Sequence, residues 1–131
     1  MTTNELNALS HRIIGCAMRV HTELGPGLLE SAYEACLVYE LQCEGLDVQR
    51  QLYLPLRYKG IEIDCGYRID LIVEDAIIVE LKTVSAILPV HSAQLLTYLR
   101  LTNRQLGLLI NFNVALLREG VRRLVHKLPD A

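Results

Sequence analysis

Asp70, and Glu80 and Lys82 in Val79-Glu80-Leu81-Lys82, place charge inside two otherwise aliphatic runs of this chain. Residues two apart on a β-strand point to the same side, so Glu80 and Lys82 share a face if the second run is a strand. Acid and base are seldom buried in such a setting unless paired. Two readings follow: a constellation that works on a charged substrate, or a simple Glu80–Lys82 ion pair at a sheet rim with Asp70 in a turn. Glu30 and Tyr33 are three apart and Gln94 and Tyr98 four apart, so each pair shares a helix face. The tyrosine rings also suit a core edge, and Gln94 suits solvent. His21 precedes the Gly25-Pro26-Gly27 break and is carried as a candidate metal ligand alongside a structural role.

The elements that must hold these residues can be read from periodicity. Leu6, Leu9, Ile13, Ala17, Val20 and Leu24 recur at three- and four-residue steps, predicting a helix. Thr2 and Glu5 have capping-box spacing for a start near residue 3, and Gly-Pro-Gly ends it. A second helix is expected from Leu28 to Glu44, burying Ala32, Tyr33, Cys36, Leu37 and Leu41, with Gly45 at its end. The step then shortens to two. Strands are expected over 46–58, with Pro55 at an edge or bulge, over 61–73 with a bend at Gly66, and over 76–82 at the sheet centre. Pro89 suits the first turn of a helix to Thr102, and 106–111 reads as a buried strand. Leu117 to Val125 fits a helix or a strand, and the Glu119-Gly120 turn favours the strand. The sum is an α/β architecture, a mixed central sheet flanked by helices.

The length of 131 residues fits a single domain over 1–131, and 51% hydrophobic against 21% charged residues excludes disorder. Thirteen Lys+Arg against fifteen Asp+Glu give a net charge of -2, which excludes a generally basic nucleic-acid coat. Arg118, Arg122, Arg123 and Lys127, with Arg100 and Arg104, remain candidates for a local phosphate-binding patch, or for an ordinary solvated face. No apolar run approaches membrane-spanning length, and the N-terminus lacks a signal-peptide pattern. Cys16, Cys36, Cys43 and Cys65 form no CxxC pair, so they read as reduced, mostly buried thiols of a cytoplasmic protein.

Gly27-Leu28-Leu29-Glu30-Ser31-Ala32-Tyr33, Gly66-Tyr67-Arg68-Ile69-Asp70, Val79-Glu80-Leu81-Lys82, Gln94-Leu95-Leu96-Thr97-Tyr98-Leu99 and Leu109-Ile110-Asn111-Phe112 occur in that order. Together they resemble the GxxExxY protein family, a branch of the PD-(D/E)XK nuclease superfamily similar to its RecB-like members. The resemblance implies a restriction-endonuclease-like core, a divalent metal and phosphodiester hydrolysis. It assigns Asp70 and Glu80 as metal-binding acids, Lys82 as the catalytic lysine and Glu30 as a helical glutamate supporting the metal. Gln94 and Tyr98 correspond to a glutamine–tyrosine helix. The Pro of the superfamily's Pro-Asp pair is replaced by Ile69.

Charge arithmetic stands beside the resemblance. Three carboxylates and one lysine leave a deficit of two, which a divalent cation neutralises; without one, repulsion raises carboxylate pKa values. Oxygen donors of this kind suit Mg²⁺ or Mn²⁺. The expected function is hydrolysis of nucleic acid, DNA first, by a metal-activated water that Lys82 assists. The competing readings are a non-cleaving nucleic-acid- or protein-binding module that keeps the fold, and a small structural subunit. With no appended specificity domain, selectivity would come from a partner or a homodimer. Geometry adds one sharp expectation. Asp70 can face Glu80 and Lys82 only if the connection between their strands has an odd length, such as Glu74-Asp75-Ala76.

Overall fold

A computed structural model describes residues 1–128. Helix α1 (Thr3–Leu24) begins with the expected reciprocal cap: Thr2 Oγ1 accepts from the Glu5 N–H, and Glu5 Oε1 from the Thr2 N–H, both at 3.1 Å. Its buried stripe is Leu6, Leu9, Ile13, Ala17 and Val20. Gly25 then takes φ +67°, which favours a residue without Cβ. Helix α2 (Glu30–Cys43) starts two residues later than its periodicity predicts. Tyr33 fixes that geometry. Its ring stacks on Phe112 with centroids 4.4 Å apart, and its hydroxyl donates to the Gly25 carbonyl at 2.5 Å while accepting from the Leu28 N–H at 3.2 Å. One tyrosine thus ties both ends of the Gly-Pro-Gly turn and sets where Glu30 emerges.

The buried face of α2 carries Tyr33, Glu34, Leu37, Val38 and Leu41. Cys36, expected inside, is exposed, as are Cys43 and Cys65; Cys16 alone of the four is buried. Glu34 takes a place on the buried side instead, where Arg50 and Gln51 donate to its carboxylate and compensate the charge.

Both long strands expected in the middle of the chain are divided. The first becomes β1 (Val48–Tyr53) and β2 (Leu56–Tyr58), and the second β3 (Ile61–Ile63) and β4 (Arg68–Val73). Pro55, with no N–H for a ladder, sits at one break, and Gly66 at φ +74° at the other. Strands β2 and β3 form a separate hairpin. Strands β5 (Ile77–Lys82), β6 (Leu106–Asn111) and β7 (Val121–Val125) complete a five-stranded mixed sheet of order β1-β4-β5-β6-β7. Its neighbours are antiparallel except β5 and β6, which are parallel and joined through helix α3 (Pro89–Thr102). The ambiguous tail is a 3₁₀ turn, Leu117–Gly120, leading into β7.

Leu71, Val73, Val79 and Leu81 face α1 and α2, whereas Ile72, Ile78 and Leu109 face Leu95, Tyr98 and Leu99 of α3. Each fully buried Leu or Ile contributes on the order of 1.5–3 kcal/mol, so this two-faced core can carry a few buried charges. The β4–β5 connection is the three-residue loop that convergence of the acids requires, with Val73 opposite Ile77 and Leu71 opposite Val79. Glu74 and Asp75 both take φ +53° within it. That conformation is held from outside: Glu74 exchanges hydrogen bonds with Asp47 at 2.7 and 2.8 Å, and Arg104 pairs with Asp75 at 2.5 Å.

Replacing Tyr33 by Phe keeps the ring stack and removes both hydroxyl contacts. We expect a loss of about 1 kcal/mol, the usual size of a buried hydrogen-bond deletion, read from the urea midpoint. An unchanged midpoint would show that the turn holds itself.

Candidate active site

The β4–β5 ladder stops short of the site because side chains take over from the backbone. In the register set by Leu71 and Val79, Asp70 lies opposite Glu80. The Asp70 N–H donates to Glu80 Oε1 at 3.0 Å, and the Leu81 N–H donates to Asp70 Oδ2 at 2.8 Å. Each acid therefore satisfies a backbone donor on the opposing strand. The end of β5 is fixed on its other side by the Phe112 N–H, which donates to the Lys82 carbonyl at 3.0 Å, and by Asn111, whose side chain brackets Val84. Lys82 is thereby held beside the acids.

The electrostatics follow from burial. Glu80 is only 5% exposed, and desolvation, reinforced by the neighbouring Asp70 charge, pushes its pKa to about 8. Asp70 is also raised, by desolvation first, against the lowering effect of the Leu81 N–H. Glu30 is exposed as a residue, yet its carboxyl leans toward the cleft. Partial desolvation raises its pKa against the opposing pull of Lys82. Burial and the two acids push the Tyr98 hydroxyl up to about 12, so it remains a hydrogen-bond donor across the ordinary pH range.

A cleft of about 350 Å³ joins these groups. Glu30, Asp70, Glu80, Lys82, Gln94 and Tyr98 all line it, and so do Gln51, Tyr67 and Arg68. Tyr67 and Tyr98 meet edge to face at 6.1 Å and form one wall. The helix bearing Glu30 does not cover the site. The apolar side of α2 packs on the opposite sheet face, so α3 forms the cover and only the first residue of α2, Glu30, reaches in from the strand ends.

His21 is not brought to this cleft. It is buried near Phe112, and its Nε2–H donates to the Val114 carbonyl at 2.8 Å, so that nitrogen has no lone pair for a metal. The basic residues proposed as a phosphate patch are also elsewhere. Arg104 is paired with Asp75, Arg123 donates to Asn7, Arg122 to the carbonyls of Glu119 and Val121, and Arg100 to Thr97. The cleft's arginine is Arg68, which lies over the Tyr53 ring at 6.0 Å. Its signal was present: it is two residues before Asp70 in the Gly66–Asp70 block. Gln51 and Glu34 were also missed. Only the β1–β4 register, which sets Gln51 across from Asp70, could have pointed to the first.

A five-stranded mixed sheet between helices, carrying two carboxylates and a lysine at the end of its central hairpin, defines the restriction-endonuclease-like class. A family model of the PD-(D/E)XK nuclease superfamily matches residues 7–124, and the chain belongs to that superfamily. Membership brings nuclease-type chemistry and nucleic acid as its partner class, and nucleases of this superfamily generally use divalent ions. No curated protein and no solved structure gives a significant match.

The residues fit a hard divalent cation by donor type and by charge. Asp70 and Glu80 offer oxygen donors, and with Glu30 they carry, when ionised, more negative charge than Lys82 alone offsets. Among the described residues no three His, Cys, Asp or Glu side chains are already drawn together as a ligand cage. The fit therefore rests on the Asp70–Glu80 pair with Glu30 beside it.

The Glu80 shift has a definite sign. The folded protein keeps its proton to about pH 8, whereas a free glutamate releases it near 4.5. Between those values the native state holds the extra proton, so stability falls as pH rises from about 4.5 through 8, by on the order of a few kcal/mol. Glu80→Gln retains the acceptor for the Asp70 N–H and should flatten this slope, leaving the variant more stable than wild type at pH 8.5. Urea midpoints in chelator from pH 5 to 9 check this. A flat wild-type profile, or the same slope in both proteins, would contradict it.

Proposed function

We propose that the chain is a divalent-metal-dependent nuclease of the GxxExxY branch, akin to the RecB-like enzymes, that hydrolyses DNA phosphodiesters. The observation that carries this reading is buried Glu80 facing half-buried Asp70, with Lys82 on the same strand edge, opening into a cleft with Arg68 at its rim. Asp70, Glu80 and Glu30 would hold Mg²⁺ or Mn²⁺, which supplies charge neutralisation and a more acidic attacking water.

The chain's own groups perform the remaining work. Lys82 places its ammonium beside the acids, where it orients the water and offsets charge that develops on the phosphate. The water oxygen bonds to phosphorus as a P–O ester bond breaks; the water's proton departs to solvent, and the leaving oxygen takes a proton from solvent and departs as the free hydroxyl. Arg68 offers a phosphate contact on the open side of the cleft, and Gln94 and the protonated Tyr98 hydroxyl offer polar contacts from α3. The exposed apolar residues Leu28, Leu29 and Tyr39 support pairing with a second copy, which would give a duplex one cleft per strand. Four unpaired thiols suit a reducing cytoplasm.

The test is cleavage of single- and double-stranded DNA and RNA with Mg²⁺ or Mn²⁺, wild type beside Lys82→Ala. We expect DNA cleavage that falls about 10²–10³-fold in the variant, the usual loss when one electrostatic stabiliser is removed, with an unchanged urea midpoint. No cleavage by wild type under any of these conditions, or equal rates in the two proteins, would overturn the reading and leave the non-cleaving binding module.

A further inference from the structure

Gln51 takes φ +51° in the interior of strand β1, a left-handed conformation that glycine or asparagine adopts far more readily than glutamine. Both strands change faces here. On β1, Val48 packs toward α1 and α2 while Leu52, of the same parity, packs toward α3. On β4, Leu71 packs toward α1 and α2 while Ile69 packs toward α3. Gln51 and Asp70 stand between the two arrangements. The Gln51 side chain uses this position fully, since its Nε2 lies 2.6 Å from Glu34 Oε1 and 3.4 Å from Asp70 Oδ1. Glu34 is itself buried and held by Arg50 at 3.0 Å.

We propose that Gln51 is a positioning residue: its amide, anchored on Glu34, orients the Asp70 carboxylate in the cleft. A primary amide nitrogen carries two hydrogens and can donate to two carboxylates at once. The unequal distances divide the task. The short contact fixes Gln51 to Glu34, while the long one steers Asp70 Oδ1 without claiming it, and Oδ2 stays tied to the Leu81 N–H. A lysine or arginine here would cancel the negative charge that recruits a cation, whereas a neutral donor aligns the acid and leaves that charge in place. The metal part of this inference rests on the function proposed above; the hold on Asp70 does not.

Gln51→Gly separates the two roles, because glycine relaxes the backbone while deleting the donor. Amide exchange of Leu81 in metal-free protein reports the Asp70 Oδ2 bond, with Val79 in the intact ladder as control, and calorimetry with Mn²⁺ alone reports ion affinity. In the variant we expect Leu81 to exchange about fivefold faster with Val79 unchanged and Mn²⁺ affinity to fall about tenfold. A residue that merely shapes the strand would leave both Leu81 exchange and Mn²⁺ affinity at wild-type values, and that result overturns the proposal. If wild type itself binds no Mn²⁺, the metal reading fails alone. Leu81 exchange then decides the role of Gln51, with faster exchange supporting it and equal rates overturning it.

Discussion

Two carboxylates facing each other at the end of the β4–β5 ladder, Glu80 buried and Asp70 half-buried, are the constraint around which this fold is organised. Asp70 and Glu80 repel, and desolvation disfavours both charges. They are tolerated because each accepts a backbone N–H from the opposite strand, which makes the acids part of the sheet's own bonding. That arrangement exists only in one register. A loop one residue shorter would turn Glu80 away from Asp70 and present an aliphatic residue in its place. The β4–β5 loop thus carries positive φ at both Glu74 and Asp75, and the contacts from Asp47 and Arg104 hold it there.

Around the pair the structure supplies order without neutralising charge. Lys82 stands beside the acids at the end of β5 and Arg68 on the open side at the start of β4, Glu30 adds a further acid at the rim, and Gln51 contributes a neutral donor. Three acids around one buried position make poor sense as a contribution to stability, but once ionised they offer the charge and oxygen donors that a cation site requires. The surrounding core offsets the cost: α1 and α2 on one face and α3 on the other bury the aliphatic residues of β4, β5 and β6. Tyr33 links that core to the site, since the hydroxyl that closes the Gly-Pro-Gly turn also sets the start of the helix bearing Glu30.

The features legible in the sequence were those with short-range causes. The Thr2–Glu5 cap, the bounds of α3 and β6, and the odd loop that brings Asp70 opposite Glu80 all follow from spacing within one or two elements. What escaped depends on distant partners. Two-residue alternation gave no sign that β1 and β4 exchange faces at Gln51 and Asp70, because the switch is made by one backbone angle. Nothing in the local sequence marks Glu34 as buried; its partners Arg50 and Gln51, sixteen and seventeen residues away, make that burial tolerable. His21 looked available to the site, but the carbonyl that binds it, Val114, comes from the chain after β6. Arg118 to Lys127 formed the densest basic run in the sequence, yet the cleft's arginine, Arg68, stood alone.

The central claim is that a divalent ion binds at the Asp70–Glu80 pair, and paramagnetic broadening of the amide spectrum by substoichiometric Mn²⁺ locates the ion directly. The account predicts that signals from Asp70, Leu81, Lys82 and Thr83, with Glu30 at the start of α2, broaden first, while those around His21 and Val114 remain sharp. Broadening centred on His21 or on any surface distant from the cleft, or no selective broadening at all, would contradict it.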